Sequence, residues 1–408
     1  MKRIHALLLP LLTFASALAL AGAPSETDRH PFPHNVTYAH GVAPQKVSQS
    51  EKNADLETMW LAWRRTYLIS EGAAPGELRV TTGGPRGFAI SEGIGFGMLI
   101  SVYMANPANT GRADFDALAR YYLRHEKVAD GVRYGLMAWR ISPDNKIADN
   151  WVAPDGDIDA AFAFLVADRK WGSDGKIDYR AHAVRVINSL MKWSVNKPSF
   201  TISRGEFESG YTMSSYHIVS LFPAFAKASG DARWNQVIDS SYSMYEYFLN
   251  LNPSTALTPY TFTVADYSYS ARGYHYGYDS SRVPWRVALD YLWRGDAASP
   301  VAKLLPDRNA KWLQETTGGD LDSPYARYNL DGTRFKNSGT DPRITVAPMA
   351  VAAMVDASNQ DWLDTQYAWL RRQIPGERVG GAGPSYFADT VMLCCMLVLT
   401  GNMPALAE

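Results

Sequence analysis

Past residue 50 the chain is organised by apolar residues recurring at three- and four-residue intervals, broken by Gly, Pro and Asp/Asn-rich stretches. The pattern predicts twelve helices, near 51–69, 92–105, 112–126, 156–171, 178–194, 213–229, 232–249, 284–294, 299–316, 343–357, 360–373 and 385–400. They are of two kinds. Even-numbered members such as Gly97 to Met104, Ala160 to Ala167, Ile344 to Val355 and Thr390 to Leu399 are apolar all round, as buried helices are. Odd-numbered members such as Tyr179 to Lys192 and Trp362 to Arg372 carry charge along one side. Six hairpins closed into two concentric rings satisfy this alternation, so the expected class is all-α, an (α/α)6 barrel.

In such a toroid the inner helices run the same way and open their N-termini on one face. The acidic residues follow that parity. Ser91-Glu-Gly-Ile-Gly-Phe-Gly-Met98 begins the second helix, with Ser91 as expected N-cap and Glu92 in the first turn. Its alternate glycines leave bare backbone where a ligand can approach closely. Asp155-Gly-Asp157-Ile-Asp159 begins the fourth, and Asp279 lies in Tyr276-Gly-Tyr-Asp-Ser-Ser-Arg-Val-Pro-Trp285, which leads into the eighth. Aromatics share the same face: Tyr211 and Tyr216 at the sixth helix, Tyr278 beside Asp279, Tyr386 at the twelfth, and Trp139 and Trp151 before the fourth.

Composition narrows the partner. Net charge is -1 and 12% of residues are aromatic, which favours a neutral ligand with flat apolar faces over nucleic acid or an anionic membrane. Carboxylates ringed by such residues describe a polysaccharide site. One acid protonates the leaving oxygen, and one base or nucleophile works on the opposite sugar face. A helix N-terminus favours the carboxylate form, so Glu92 needs burial or a like charge, from Asp155 or Asp157, to act as the acid.

No metal or cofactor is expected. Asp155 to Asp159 resembles a calcium loop superficially, but Ala160 and Val166 stand where its Gly and Glu belong, and His182, His217 and His275 lack ligand spacing. Cys394 and Cys395 read as buried thiols. A basic start at Lys2-Arg3, the apolar run Ala6 to Leu20 and small-x-small sites at Ala17-Leu-Ala19, Ala19-Leu-Ala21 and Ala21-Gly-Ala23 read as a secretory signal peptide, with the mature chain beginning between Gly22 and Ser25. Residues 1–23 are therefore expected to be removed, leaving 24–408 as one catalytic domain, secreted or periplasmic and by default monomeric. Residues 31–47 read as an extended segment laid over the surface.

Three blocks carry a resemblance to a known family. Ser91 to Met98, Ala153 to Trp171 and Tyr278 to Trp285 are similar, in order, to the signatures of glycoside hydrolase family 8. The resemblance implies an (α/α)6 barrel and an inverting, endo-acting hydrolase of β-1,4-linked glycans. By motif it makes Glu92 the general acid, Asp279 the base that activates water and Asp155 the carboxylate that holds the distorted sugar, with Arg282 positioning Asp279 or a sugar hydroxyl. Pro154 and Ala160 depart from the family pattern without touching a carboxylate. Substrate contacts are expected from Arg282, Tyr211, Tyr216, Tyr278, Tyr386, Trp139 and Asp157. Aromatic content favours a cellulose-type β-glucan. Asp157, Glu206, Glu208, Asp266 and Asp341 keep chitosan open, and mixed-linkage glucan or xylan stays within the family. A non-catalytic glycan-binding toroid or a polysaccharide lyase are the other classes, the lyase lacking a basic cluster to hold a uronate.

Overall fold

The computed structural model describes residues 28–207, 210–269, 273–379 and 381–406. The signal-peptide reading and Glu208 lie outside them. Among the described residues there are twelve α-helices: α1 Gln49–Tyr67, α2 Ser91–Met104, α3 Gly111–Arg124, α4 Pro154–Trp171, α5 Tyr179–Trp193, α6 Phe222–Ser229, α7 Arg233–Leu251, α8 Val283–Arg294, α9 Val301–Thr317, α10 Arg343–Ala353, α11 Gln360–Leu370 and α12 Tyr386–Leu399.

Burial divides them as the hydrophobic pattern predicts. Every residue of α2 and of α10 is buried, and so are all but Phe387 in α12 and all but Asp168 and Arg169 in α4. By contrast α1, α5 and α7 bury one stripe each. Around the inner ring α2 packs on α4 and α12, α12 on α10, and α10 on α8. A large apolar core fills the rings, with Trp63, Trp234 and Trp285 fully buried, and a smaller cluster lies between α7, α8 and α9. Each such side chain contributes about 1.5–3 kcal/mol by leaving water.

The sixth helix departs from expectation. It begins at Phe222 instead of residue 213 and buries only Phe222 and Phe225. Residues Tyr211–Met213 pair instead with Thr261–Thr263 as an antiparallel ladder. A 3-10 turn, Ser214–Tyr216, follows, held by Ser214 Oγ donating to Pro259 O at 2.7 Å and by Tyr245 Oη donating to the Ser214 and His217 carbonyls. Backbone groups committed to these partners cannot join a helix. The gap between α4 and α8 is closed by side chains: Phe162 stacks on Trp293 at 5.8 Å, and Arg286 Nη2 meets Asp159 Oδ2 at 2.5 Å.

Short strands, absent from the helical reading, deliver the chain to the inner N-termini. Ala89–Ile90 pairs with Arg140–Ile141 and runs directly into α2. His275–Gly277 pairs with Arg327–Asn329 and runs into the 3-10 turn Tyr278–Arg282 and then α8. Residues 31–47 are extended as expected, and cross the other end of the ring. Amides of Phe32, Val36 and Val42 donate to Ala105, Gly401 and Met354 carbonyls, which lie just past the C-termini of α2, α12 and α10. Cys394 and Cys395 are free and buried. No helix among the described residues is long and apolar enough to cross a membrane.

Candidate active site

Glycines bring the first two carboxylates together. A Cβ on Gly156 would lie 2.3 Å from the Ser91 carbonyl carbon and 2.5 Å from the Glu92 nitrogen, and one on Gly95 would lie 2.5 Å from the Gly156 oxygen. A Cβ on Gly93 would lie 2.6 Å from the Tyr386 hydroxyl. The alternate glycines of α2 therefore admit α4 and Tyr386, not a ligand as the sequence led us to expect. Gly156→Ala is expected to cost about 1–3 kcal/mol by overpacking backbone on backbone. The same change should lower kcat by displacing Glu92 from Asp155, and urea unfolding with steady-state kinetics on one preparation separates the two effects.

Ser91 is not the N-cap. That position is Ile90, still extended, and α2 has no side-chain cap. The Trp139 carbonyl accepts from the Ser91 amide at 2.9 Å instead, which leaves the first turn open beside Glu92. In α4, Pro154 occupies the first turn, where a missing N–H costs nothing, and the Asp155 carboxylate accepts from the Gly156 amide at 3.0 Å.

The third carboxylate and its cation come from Tyr278–Arg282. Arg282, 1% exposed, directs Nη1 to Glu92 Oε2 at 2.9 Å and Asp155 Oδ2 at 2.7 Å, and Nη2 to Asp279 Oδ1 at 3.0 Å and Ser215 Oγ at 3.1 Å. Its Nε donates to the Asp279 carbonyl at 3.0 Å, and its plane lies over the rings of Phe387 and Phe96 at 5.7 and 5.9 Å. One guanidinium thus ties carboxylates from three inner N-termini. Contacts of 2.9 and 3.0 Å through one guanidinium hold the nearest oxygens of Glu92 and Asp279 within about 8 Å, a limit that admits the lower part of the roughly 6.5–9.5 Å span of an inverting pair.

The carboxyls differ in exposure. The Glu92 side chain is 9% exposed and that of Asp279 23%. Burial pushes Glu92 up to about 8; Arg282 opposes this, and the charges of Asp155 and Asp279 add to it. Asp155 is raised as well, chiefly by burial. Burial also works against the charge on Arg282, but the carboxylates outweigh it and hold its guanidinium protonated. Such an arrangement sets a carboxyl raised above its ordinary range against a more accessible one, a difference that acid–base hydrolysis of an acetal uses.

Tyr386 Oη donates to Glu92 Oε1 at 3.1 Å, and buried Tyr216 feels the charges of Asp155, Asp279 and Glu92. Tyr278, 44% exposed, stands beside Phe387 at 6.4 Å between ring centroids. Tyr211 is 45% exposed, with Arg204 over its ring at 6.0 Å, and Trp139 meets α2 through its backbone.

Asp157 is a correction. It is fully buried and turned away, accepting from Tyr122 Oη and from the Met137 amide at 2.9 Å, so it neither faces a substrate nor charges Glu92. Two residues along a helix is about 200° of rotation, enough to send it to the opposite side from Asp155. Sequence reasoning missed Ser215, Phe96 and Phe387 on Arg282, and Tyr260, whose hydroxyl hydrogen-bonds Asp279. Only Phe96, inside the first signature, carried any local signal.

Among the described residues no group of three or more His, Cys, Asp or Glu side chains is placed to hold a metal ion. A separate cavity of about 1010 Å³ opens at the far ends of α4 and α8, between Phe162, Arg169, Lys227 and Trp293. It lies away from the carboxylates.

Comparison with known proteins agrees with this chemistry. The family model described as glycosyl hydrolases family 8 matches residues 31–323. A beta-glucanase of Niallia circulans is 31% identical over 91% of this chain and 90% of its own length. An endoglucanase of Bacillus sp. (strain KSM-330) is 31% identical over 91% of this chain and 81% of its own. The apo structure of a beta-1,3-1,4-glucanase from Paenibacillus sp. X4 superposes with a TM-score of 0.84 at 29% identity, over 93% of this chain and all of that one.

Proposed function

The chain belongs to glycosyl hydrolases family 8 and is a glycoside hydrolase, and from that premise we propose that it is an inverting endo-β-glucanase cutting β-1,4 bonds in cellulose-type or mixed-linkage glucan. The observation that carries the reading is the set of three carboxyls held by Arg282, with Glu92 buried and raised to about 8. In this reading Glu92 protonates the leaving oxygen, Asp279 takes a proton from the attacking water, and Asp155 hydrogen-bonds the sugar at the point of cleavage. Tyr386 and Arg282 position Glu92. Tyr211, Tyr216 and Tyr278 offer faces or hydroxyls to the chain.

Of the acidic residues that kept chitosan open, those among the described residues have partners. Glu206 is buried against Lys127 Nζ at 2.6 Å, Asp341 pairs with Arg343 at 3.0 Å, Asp266 is taken up by Thr263 and Ser268, and Asp157 is buried. Among the described residues only Asp266 of this set is exposed, so a cationic polymer finds little carboxylate there outside the catalytic set. The relatives named as glucanases and an endoglucanase support the same choice.

We place 24–408 as one catalytic domain, exported after removal of 1–23 and working as a monomer. The test is reducing-end release on barley β-glucan, carboxymethyl cellulose, chitosan and xylan, with ¹H NMR of the first product. Hydrolysis of the glucans with the α-anomer formed first is expected. Preference for chitosan or xylan would replace the substrate, and an initial β-anomer would replace inversion by retention.

A further inference from the structure

Arg327, half-buried on this face, contrasts with Arg282 and Arg343. Arg282 and Arg343 are saturated by carboxylates and carbonyls. For the guanidinium of Arg327, no hydrogen-bond or ion-pair acceptor occurs among the described residues, and its Nε is buried without a partner.

Its placement follows from strand register. Arg327–Asn329 pairs with His275–Gly277 so that Tyr328 faces Tyr276 and Arg327 faces Gly277. Tyr276 and Tyr328 are buried, with Trp312 edge-on to Tyr328 at 4.9 Å, so alternation sends Arg327, Gly277 and His275 to the opposite side. Gly277 is the next requirement. A Cβ there would lie 2.3 Å from the Ala326 carbonyl oxygen and 2.8 Å from Arg327 Cγ, so bare backbone is needed where the two strands and the arginine stem meet. The guanidinium then reaches Phe335 at 5.1 Å and the exposed ring of Tyr278 at 5.9 Å, the residue before Asp279. Phe335 in turn lies 4.8 Å from His275, on which Tyr260, the partner of Asp279, stacks at 5.8 Å.

We propose that Arg327 is a charge-selecting residue of the cleft. An unpaired guanidinium beside Tyr278 admits neutral glucan and chains bearing carboxylate substituents, and disfavours chains bearing ammonium groups. The inference rests on the β-glucanase reading and deepens it: the occupied acidic residues remove an attraction for a cationic polymer, and Arg327 adds a repulsion. Its donors also suit sugar hydroxyls, so a neutral chain gains hydrogen bonds without needing a charge.

The experiment compares kcat/KM on barley β-glucan, carboxymethyl cellulose and quaternary-ammonium hydroxyethyl cellulose for wild type, Arg327→Gln, Arg327→Glu and Arg327→Lys. Rates are taken at about 10 mM and about 0.5 M salt, where charge acts over roughly 30 Å and a few ångströms respectively. At low salt Arg327→Glu should lower the anionic-to-neutral ratio and raise the cationic-to-neutral ratio, each about fivefold to tenfold, with Arg327→Gln between. Arg327→Lys, which keeps the charge but not the planar fork, should retain the wild-type ratios, and all differences should collapse at high salt. Ratios unchanged within twofold in the Glu variant, or changes that survive high salt, overturn the inference and leave the glucanase reading standing. Wild-type protein inactive on barley β-glucan overturns both.

Discussion

Glu92→Gln is expected to lower kcat on β-glucan by about 10³–10⁴-fold while leaving KM nearly unchanged, because the amide keeps the shape of the acid and an oxygen to accept from Arg282 but cannot give up a proton. Burial first, and the nearby charges of Asp155 and Asp279, put the Glu92 carboxyl up to about 8, so wild-type activity should fall as pH rises through that value. The residual activity of the Gln variant should lack this alkaline limb. Stability gives an independent check with a defined sign. A carboxyl raised in the folded state stabilises fully below its unfolded value near 4.5, and that contribution is lost as pH rises towards about 8. Glu92→Gln removes the ionisation, so at pH near 9 the variant should melt no lower than wild type. A Gln variant that keeps more than a tenth of wild-type kcat would remove Glu92 as the acid and with it the mechanism proposed above.

Arg282→Met is expected to have the next largest effect, on fold and activity together. Removing one member of a buried charge set costs about 3–5 kcal/mol, since the partners left behind are neither solvated nor neutralised. Here the partners are Glu92, Asp155 and Asp279. Burial already raises Glu92 and Asp155, and without the cation nothing opposes it, so the loss should be smaller at acid pH, where these two are protonated, and grow as pH increases. Urea unfolding across pH measures this. Arg282→Lys keeps the charge without the two-pronged geometry that reaches Glu92 and Asp155 through one nitrogen and Asp279 through the other, and should recover part of the stability and little of the activity. A pH-independent loss in Arg282→Met would mean that packing against Phe96 and Phe387 dominates over charge.

Much of this was legible in the hydrophobic pattern. Twelve predicted helices correspond to twelve observed, because periodicity at 3.6 residues is a local property and each run is long enough to state it. The sixth was misread because Met213, Tyr216, Val219 and Leu221 continue a helical spacing, yet the backbone of 211–217 is taken by Thr261–Thr263 and by the Tyr245 hydroxyl, and the Ser214 hydroxyl by Pro259, all remote in sequence. The short strands escaped for the same reason. A ladder of two or three residues has no period to detect, and its partner fixes it.

Within the site, Glu92, Asp155 and Asp279 stood out because three local motifs repeat the same arrangement, an acidic residue at the N-terminus of an inner element, whereas Arg282 came only with the resemblance to glycoside hydrolase family 8. The sequence by itself determined the helical alternation, hence the ring, and which acidic residues share its open face. Tertiary structure alone decided that Asp157 turns inward to Tyr122, that the glycines of α2 admit α4 and Tyr386, and that one guanidinium gathers three carboxyls. The physical reason is range. Periodicity and capping act over a few residues, whereas the charges of Asp155 and Asp279 that raise Glu92, and the guanidinium 190 positions away that opposes them, are brought beside it only when the ring closes.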